Sequence, residues 1–572
     1  MGKGLLADKR CKWIFVLLAV GAVLVNIKSI FMDYNYDSGY AVAQAYRIVR
    51  GDSMFAGMWE PHQTSAFLCA GLIKLYLMVT GTTTGVVLYL QAAGVVMKGL
   101  VTIFFYQTMK PLIRKDILSL MCLFFLVVMP KGLPMPEFSN MQIWFSVGLF
   151  CCLMRFLQAQ EKKGWLVAAA IFLCLEILAY PSCLIVYAGV LIVLWLYGKN
   201  RWKDSLLFSG VCLSCGAAYC SYFTVRLGLR KFLGSIGYII TGDGSHEESL
   251  WEKAMAYLQE LGNILAWLAG LALVAYLVLK VISLLVYYVS GKRKTLSAKR
   301  YWLPVFFLAF LYCDLVQALQ VELTYEERLP IYAAIIAVAM FFLRGCHEKE
   351  KQIVVTGMVL SFLGFLATLM LTNLTISSTL NYLILAVMVS FLPVVKCVEG
   401  FFTTDRAWLR YGVILLFCGV TVFRSGYITK CMSTEKTNIF SVESVVRDGP
   451  AKGIVSEYFG PYTLNTTLEE WKEYIKPGDR VLIVGAGLYD PILYLFEDVE
   501  ICVSSTICTP TYGGTLSEYW KQNPDKYPNV VIVDCWFGEL RVGQNTWIMQ
   551  WLKHSFGTQH YVDGSYWRYY RR

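Results

Sequence analysis

The sequence predicts a polytopic α-helical membrane protein that carries a small α/β domain at its C-terminus. Three observations predict this fold class. Apolar residues make up 57% of the chain and charged residues only 16%, against about 25% charged residues in ordinary globular proteins. Apolar runs of membrane-spanning length follow one another as far as residue 424. Beyond that point charges and turn residues return, and short strand-like runs alternate with helix-like stretches.

The membrane domain is predicted at residues 1–424, with about 13 transmembrane helices. The first apolar run, from Trp13 to Met32, follows four basic residues and has no signal-peptide cleavage site, so we expect an uncleaved first span. Basic residues are concentrated in every second loop, which predicts a cytoplasmic N-terminus and an extracytoplasmic C-terminal domain. We therefore expect an integral protein of the plasma membrane. The net charge of +11 favours contact with membrane lipid over nucleic acid.

One apolar stretch, residues 65–80, does not fit the alternation of basic loops. A span here would invert the sidedness of every later loop. We interpret it as a re-entrant or interface-lying helix within a long first outer loop, residues 33–83. The alternative is a true span, with another weak span miscounted.

The first outer loop begins with two acids, Asp33 and Asp37, directly after the first span. A carboxylate at the mouth of a transmembrane helix is costly in lipid, so it should face water or a protein cavity. Residues 38–50 then predict an amphipathic helix at the membrane interface, with Arg47 and Arg50 near its end. Its apolar face is expected to comprise Val42, Tyr46 and Val49.

A second group of polar residues follows in the same loop at Glu60, His62 and Gln63. Any one of these residues alone is better explained as an ordinary solvated loop residue. Two acids, an interfacial helix and a second polar group within about 30 residues favour a binding or catalytic site instead.

This loop resembles that of the GT-C superfamily of membrane glycosyltransferases, which includes protein O-mannosyltransferases and the lipid A aminoarabinose transferase. The resemblance rests on Asp37-Ser-Gly-Tyr40, on the small residues Ala41 and Ala45, and on Pro61-His62-Gln63 before the next apolar stretch. The chain departs from the family in having Ser38 where a Glu is usual, and one proline in the second group.

The resemblance implies transfer of a sugar from a polyprenyl-phosphate donor to an acceptor on the outer face. Asp37 would act as the catalytic base, with Asp33 in reserve, while Tyr40 and the polar residues of the loop bind substrate. The next outer loop holds Glu137, which by the resemblance orients the acceptor or coordinates a divalent cation such as Mg²⁺ or Mn²⁺. The sequence indicates no other cofactor and leaves the acceptor open.

Polar residues also lie near Asp314, within a predicted span. They either have a function or pack the helices together. Arg328 follows at an outer turn and is predicted to contact the phosphate of the donor. Its neighbours Glu326 and Glu327 could instead pair with it as a surface cluster.

The C-terminal domain, residues 425–572, predicts three parallel strands in RVLIVGAG, EICVSS and NVVIVDC, preceded by a helix that begins at Thr467. Gly485-Ala-Gly487 lacks the third glycine of a dinucleotide-binding motif, so we interpret it as a structural turn. The domain would serve as a lid or as an acceptor-recognition module.

Two other classes of function compete with the transferase. A flippase or transporter of a lipid-linked saccharide usually shows internal repeats and broken helices, and we find no repeat between the halves of this chain. A non-catalytic polysaccharide-assembly protein is the other alternative. Loss of product on replacing Asp37, with the protein still folded and inserted, separates these alternatives from the transferase.

Overall fold

The computed structural model describes most of the chain. The described residues are 4–32, 34, 36–129, 134–242, 250–291, 298–320, 328–371, 376–401, 407–428, 444–456, 459–485, 491–496, 498–506, 513–557 and 560–572. Among them, eight helices are long and apolar enough to cross a membrane by length and composition, and five shorter apolar helices accompany them. The chain is therefore an integral membrane protein, while the number of about 13 spans stays a prediction.

Sixteen described helices precede the C-terminal domain. The first eight are α1 (Lys9–Phe31), α2 (Tyr36–Val49), α3 (Phe67–Thr80), α4 (Val86–Met109), α5 (Lys115–Val127), α6 (Phe138–Gln158), α7 (Gly164–Ala179) and α8 (Val186–Tyr197). The others are α9 (Arg201–Leu227), α10 (Leu229–Gly242), α11 (Leu250–Val289), α12 (Ala298–Gln320), α13 (Leu329–Phe342), α14 (Glu348–Leu371), α15 (Ile384–Phe401) and α16 (Ala407–Ile428).

The two ends of the helix bundle are distinguished by their contacts. At the N-terminal end, the backbone N–H of Leu5 donates to Asp116 (3.0 Å), and Arg114 bridges Asp116 and Glu399. At the other end, Met32 forms an isolated bridge with Val455 of the C-terminal domain. We call this second end the domain end of the bundle.

Helix α3 has both of its ends at the domain end. Before it, Glu60 accepts hydrogen bonds from Ser505 and Thr506. After it, Thr83 donates to the backbone oxygen of Leu495 (2.8 Å). Its length and composition would allow a span, but a helix with both flanks on one side of the bundle does not cross it. These contacts agree with the prediction for residues 65–80, and how the helix lies relative to the membrane stays a prediction.

The prediction that an amphipathic helix at residues 38–50 lies at the membrane interface is wrong about the location of the helix. Helix α2 is present, but every residue from Ser38 to Arg47 is buried. Val42 and Tyr46 belong to one apolar cluster with Trp471 and Leu482 of the C-terminal domain. The face that was expected to meet the membrane interface is covered because the C-terminal domain packs on it.

The C-terminal domain contains three helices, namely α17 (Phe459–Tyr474), α18 (Gly513–Gln522) and α19 (Trp547–Phe556). Its strands are β1 (Ser444–Val445), β2 (Val455–Ser456), β3 (Arg480–Val484), β4 (Glu500–Ile501), β5 (Val530–Trp536), β6 (Glu539–Leu540), β7 (Tyr561–Asp563) and β8 (Trp567–Arg571). The main sheet has the strand order β4-β3-β5-β8-β7, and β6 pairs with β5.

The three predicted strands correspond to β3, β4 and β5, which are parallel. The sheet is nevertheless mixed rather than parallel throughout, because β8 pairs antiparallel with both β5 and β7. Helix α17 begins at Phe459, earlier than the predicted start at Thr467. The turn at Gly485-Ala-Gly487 lies partly outside the described residues.

Candidate active site

Asp37 lies in the first turn of α2, a few residues past the end of α1. Its side chain is half-buried, whereas the residues that follow it in the helix are buried. This carboxylate therefore lies at the less buried end of α2. Asp33, the reserve base, lies outside the described residues.

Tyr40 and His62 line the interior of this contact with aromatic rings. Their ring centroids lie 6.5 Å apart in an edge-to-face arrangement, and the His62 ring stacks on Phe138 at 4.2 Å. Burial raises the pKa of the Tyr40 phenol well above its usual value, and the nearby carboxylate of Glu60 raises it further. The phenol therefore stays protonated and can donate a hydrogen bond at any physiological pH.

Arg47 and Glu60 form a fully buried ion pair at the centre of the contact. Arg47 donates to Glu60 (3.0 Å), to Asp52 (2.8 Å) and to the backbone oxygen of Gly57 (2.5 Å). Burial alone would lower the pKa of Arg47, but the pKa is raised because Asp52, Tyr519 and Glu60 stabilise its charge. The structure corrects the expectation of an Arg47 open to a ligand, since its guanidinium is enclosed by protein.

Glu60 joins the first outer loop to the C-terminal domain. Its two carboxylate oxygens accept from the hydroxyl of Ser505 (2.6 Å) and the backbone N–H of Thr506 (2.7 Å). Beside this ion pair, the backbone N–H of Trp59 donates to the oxygen of Ser504 (2.8 Å). We call this set of contacts the polar joint. Glu60, which was predicted to contact substrate, thus forms an internal contact between the loop and the C-terminal domain.

Two other predicted residues of the loop also have internal partners. Arg50 pairs with Asp498 of the C-terminal domain at 2.6 Å, and both side chains are about half exposed. Gln63 is buried and accepts a hydrogen bond from the backbone N–H of Phe55 (2.9 Å). Both residues therefore hold the loop in place.

Glu137 caps the N-terminus of α6. Its two oxygens accept from the backbone N–H groups of Ser139 (2.9 Å) and Asn140 (2.8 Å), as expected for an acidic N-cap residue. Because both oxygens accept backbone hydrogens, the geometry fits a helix cap better than a metal ligand. Among the described residues, no group of three or more His, Cys, Asp and Glu side chains could hold a metal ion.

Asp314 and Arg328 form a second buried ion pair, between α12 and the start of α13, at 2.8 Å. Arg328 also donates to Thr421 of α16 (3.0 Å), and Arg424 of the same helix lies 3.6 Å from Asp314. Arg328, which was predicted to contact the phosphate of the donor from an outer turn, has a side chain that is 0% exposed and paired with protein groups. Glu326 and Glu327 lie outside the described residues.

Sequence reasoning missed three buried polar side chains near the site. Glu176 accepts a hydrogen bond from Gln142 (2.9 Å) at the domain end of α6 and α7. Gln44 lies on α2 between Tyr40 and Arg47 on one helical face, and its side-chain oxygen and nitrogen have no hydrogen-bond partner among the described residues. An acid inside the apolar run of α7 was a usable signal for Glu176. No feature of the sequence indicated that Gln44 would be buried.

The fold and the site define a polytopic membrane protein whose first outer loop is enclosed between the helix bundle and a C-terminal α/β domain. No protein-family model matches the chain, and a search of curated protein sequences found no match.

Among solved structures, the chain is similar to the oligosaccharyltransferase AglB from Archaeoglobus fulgidus, in complex with an inhibitory peptide and a dolichol-phosphate. The identity is 12%, the TM-score is 0.42, and the match covers 92% of this chain and 70% of that one. It is also similar to apo ArnT from Cupriavidus metallidurans, with 11% identity, a TM-score of 0.44 and 98% of each chain covered. At these scores the likeness assigns no activity to this chain.

Proposed function

We propose that the protein is a membrane glycosyltransferase that moves a sugar from a polyprenyl-phosphate donor to an acceptor hydroxyl at the domain end. The observation that carries the proposal is the position of Asp37. A half-buried carboxylate opens α2 just past the first membrane helix. Such a position lets a lipid-anchored donor keep its tail in the bilayer while its sugar reaches a protein carboxylate.

The chemistry requires only a base and a place for the sugar. The acceptor oxygen attacks the anomeric carbon, Asp37 takes the proton of that hydroxyl, and the bond between sugar and phosphate breaks to release polyprenyl phosphate. Tyr40 supplies a hydrogen-bond donor behind Asp37 on the same helix. Gln44, one turn further, offers a donor and an acceptor that suit sugar hydroxyls.

The test is transfer activity of the full chain in lipid nanodiscs with radiolabelled polyprenyl-phosphate sugars. Asp37→Asn should lower the rate by about 10²- to 10⁴-fold, because a positioned base is lost. Asp448→Asn, at an exposed acid of the C-terminal domain that pairs with Lys472, is the matched control and should keep full activity. Near-normal turnover by Asp37→Asn would remove Asp37 from this role.

The same preparation separates the competing function. A flippase would move labelled lipid across the bilayer without forming a product. If translocation occurs without product and is unaffected by Asp37→Asn, the transferase proposal fails. The donor sugar is identified by which labelled donor is consumed.

A further inference from the structure

The hairpin between β5 and β6 holds an aromatic residue where the backbone disfavours one. The strands pair Trp536 with Glu539, so the turn consists of Phe537 and Gly538. Both turn residues have positive φ, +44° and +85°, as in a type I′ turn, for which Asn-Gly is preferred. A phenylalanine in a backbone conformation that L side chains rarely adopt suggests that its side chain is retained for another purpose.

The turn belongs to a group of aromatic residues at the surface, which we call the aromatic edge. Phe537 is 67% exposed and Trp536 is 40% exposed. Tyr566 packs against both rings, with centroid distances of 6.0 Å to Phe537 and 5.3 Å to Trp536. Tyr462, 42% exposed, meets the ring of Tyr566 edge-on. A soluble domain gains nothing from exposing such rings together.

Strand direction places the aromatic edge on the side of the domain that faces the bundle. Strands β3, β4 and β5 are parallel. Beyond the carboxyl end of β4, Ser504 bonds Trp59 of the first outer loop. The carboxyl end of β5 points the same way. Trp536 lies three residues beyond Val533, which pairs with Val484, and therefore projects about 10 Å further toward the bundle.

The contact between α1 and the C-terminal domain gives the same location for the aromatic edge. Met32, at the end of α1, bridges to Val455. Helix α17 begins four residues later, at Phe459, and its first turn carries Tyr462 of the aromatic edge. The edge is therefore close to the domain end of α1, where that helix leaves the membrane.

Helix α1 shows where the bilayer lies. Its outward face exposes Leu17 (68%), Leu24 (59%) and Phe31 (45%), a row of apolar side chains along a membrane-spanning helix that lipid tails would cover. Because Phe31 is the last residue of α1, the boundary between tails and headgroups is near the level of Met32. Tryptophan and tyrosine side chains are enriched at this boundary in membrane proteins.

We propose that the aromatic edge is a lipid-docking surface. The hairpin tip at Phe537 enters the boundary between lipid headgroups and acyl chains beside α1, and Trp536 and Tyr462 lie at headgroup level. The occupant is the bilayer itself, since the edge is continuous with the lipid-facing surface of α1. The C-terminal domain would then be held on the membrane by lipid as well as by the polar joint.

The test uses the full chain in nanodiscs of phosphatidylcholine and phosphatidylglycerol. A photo-crosslinking benzoylphenylalanine replaces Phe537, and lipid adducts are identified by mass spectrometry. The matched control carries the same group at Tyr474, in the last turn of α17, at the opposite edge of the domain. We expect lipid adducts at position 537 and none at 474. Absence of lipid adducts at 537, or equal adducts at both positions, would overturn the proposal.

A second measurement needs no substitution. Hydroxyl-radical oxidation of the unmodified chain, normalised for intrinsic reactivity, should be several-fold lower at Trp536 than at Tyr561. The two side chains are equally exposed in the structure, at 40% each. Equal oxidation would contradict lipid coverage. Protection of Trp536 that appears only on adding a saccharide acceptor would assign the edge to that ligand instead.

Discussion

Replacing Glu60 by alanine should loosen the C-terminal domain from the first outer loop. The substitution removes the acceptor of three hydrogen bonds, from Ser505, Thr506 and Arg47, at 2.6, 2.7 and 3.0 Å. Glu60 and Arg47 both have side chains that are 0% exposed, so water cannot replace the lost partner without opening the contact. Breaking a buried ion pair by removing one member typically costs about 3–5 kcal/mol.

Hydrogen exchange measures this cost locally. The backbone N–H groups of Trp59 and Thr506 both cross the polar joint. A loss of about 3–5 kcal/mol corresponds to an opening equilibrium about 10²- to 4 × 10³-fold more favourable. Since Glu60→Ala deletes the direct partner of Thr506, the amide of Trp59 is the decisive probe. Its exchange in nanodiscs should accelerate within that range.

Arg50→Ala is the matched control, because Arg50 lies directly after α2 in the same loop as Glu60 and also bridges to the C-terminal domain. Its pair with Asp498 is 43% and 58% exposed. A solvent-exposed pair is worth about 1 kcal/mol or less, so exchange at Trp59 should change by no more than about fivefold. The reasoning is refuted if Glu60→Ala and Arg50→Ala accelerate exchange equally, or if neither does.

Three further changes test other parts of the structure. Asp314→Ala leaves Arg328 buried without its carboxylate and should destabilise the bundle by about 3–5 kcal/mol, seen as a lower midpoint of thermal unfolding in detergent. Gly94→Ala should lower that midpoint too, because a Cβ there would lie 1.7 Å from a backbone oxygen of the segment before α6. Burial raises the pKa of Asp479, but hydrogen bonds, chiefly from Arg571, hold it below 3.8. A carboxyl with a lowered folded pKa stabilises above its unfolded pKa, so the C-terminal domain should lose this stability as pH falls below about 3.8. Arg571→Met should weaken that dependence in circular-dichroism titrations, while the hydrogen bonds from Lys476 and Asn529 retain part of it.

The features that could be predicted from sequence are those determined by local pattern. A long apolar run predicted α1, and a run that conflicts with loop charge predicted a helix that enters and leaves at one end of the bundle. Buried strands rich in β-branched residues predicted β3 and β5. Strands β7 and β8 were missed because Tyr561–Asp563 and Trp567–Arg571 carry no clean alternation of apolar and polar residues.

The surroundings of the candidate site could not be predicted, because they depend on distant contacts. The hydroxyl that bonds Glu60 belongs to a residue 445 positions away. The pattern of α2 indicates only that one face is apolar; it does not show that the C-terminal domain, rather than lipid, covers that face. Arg47 and Arg328 looked like candidate substrate contacts for the same reason. An arginine near the membrane interface has the same sequence pattern whether its side chain binds a ligand or pairs with a carboxylate from elsewhere in the chain.

Helix α2 connects the C-terminal domain to the proposed base. Asp37 lies in its first turn and Arg47 ten residues later, which is about 15 Å along a helix. Because the helix is buried between these residues and Arg47 is bound into the polar joint, the domain cannot move far without moving α2 or breaking the joint. A freely opening lid would need weaker contacts at this position. The burial of the Arg47–Glu60 pair favours a domain that forms a fixed wall of the site and holds Asp37 in position.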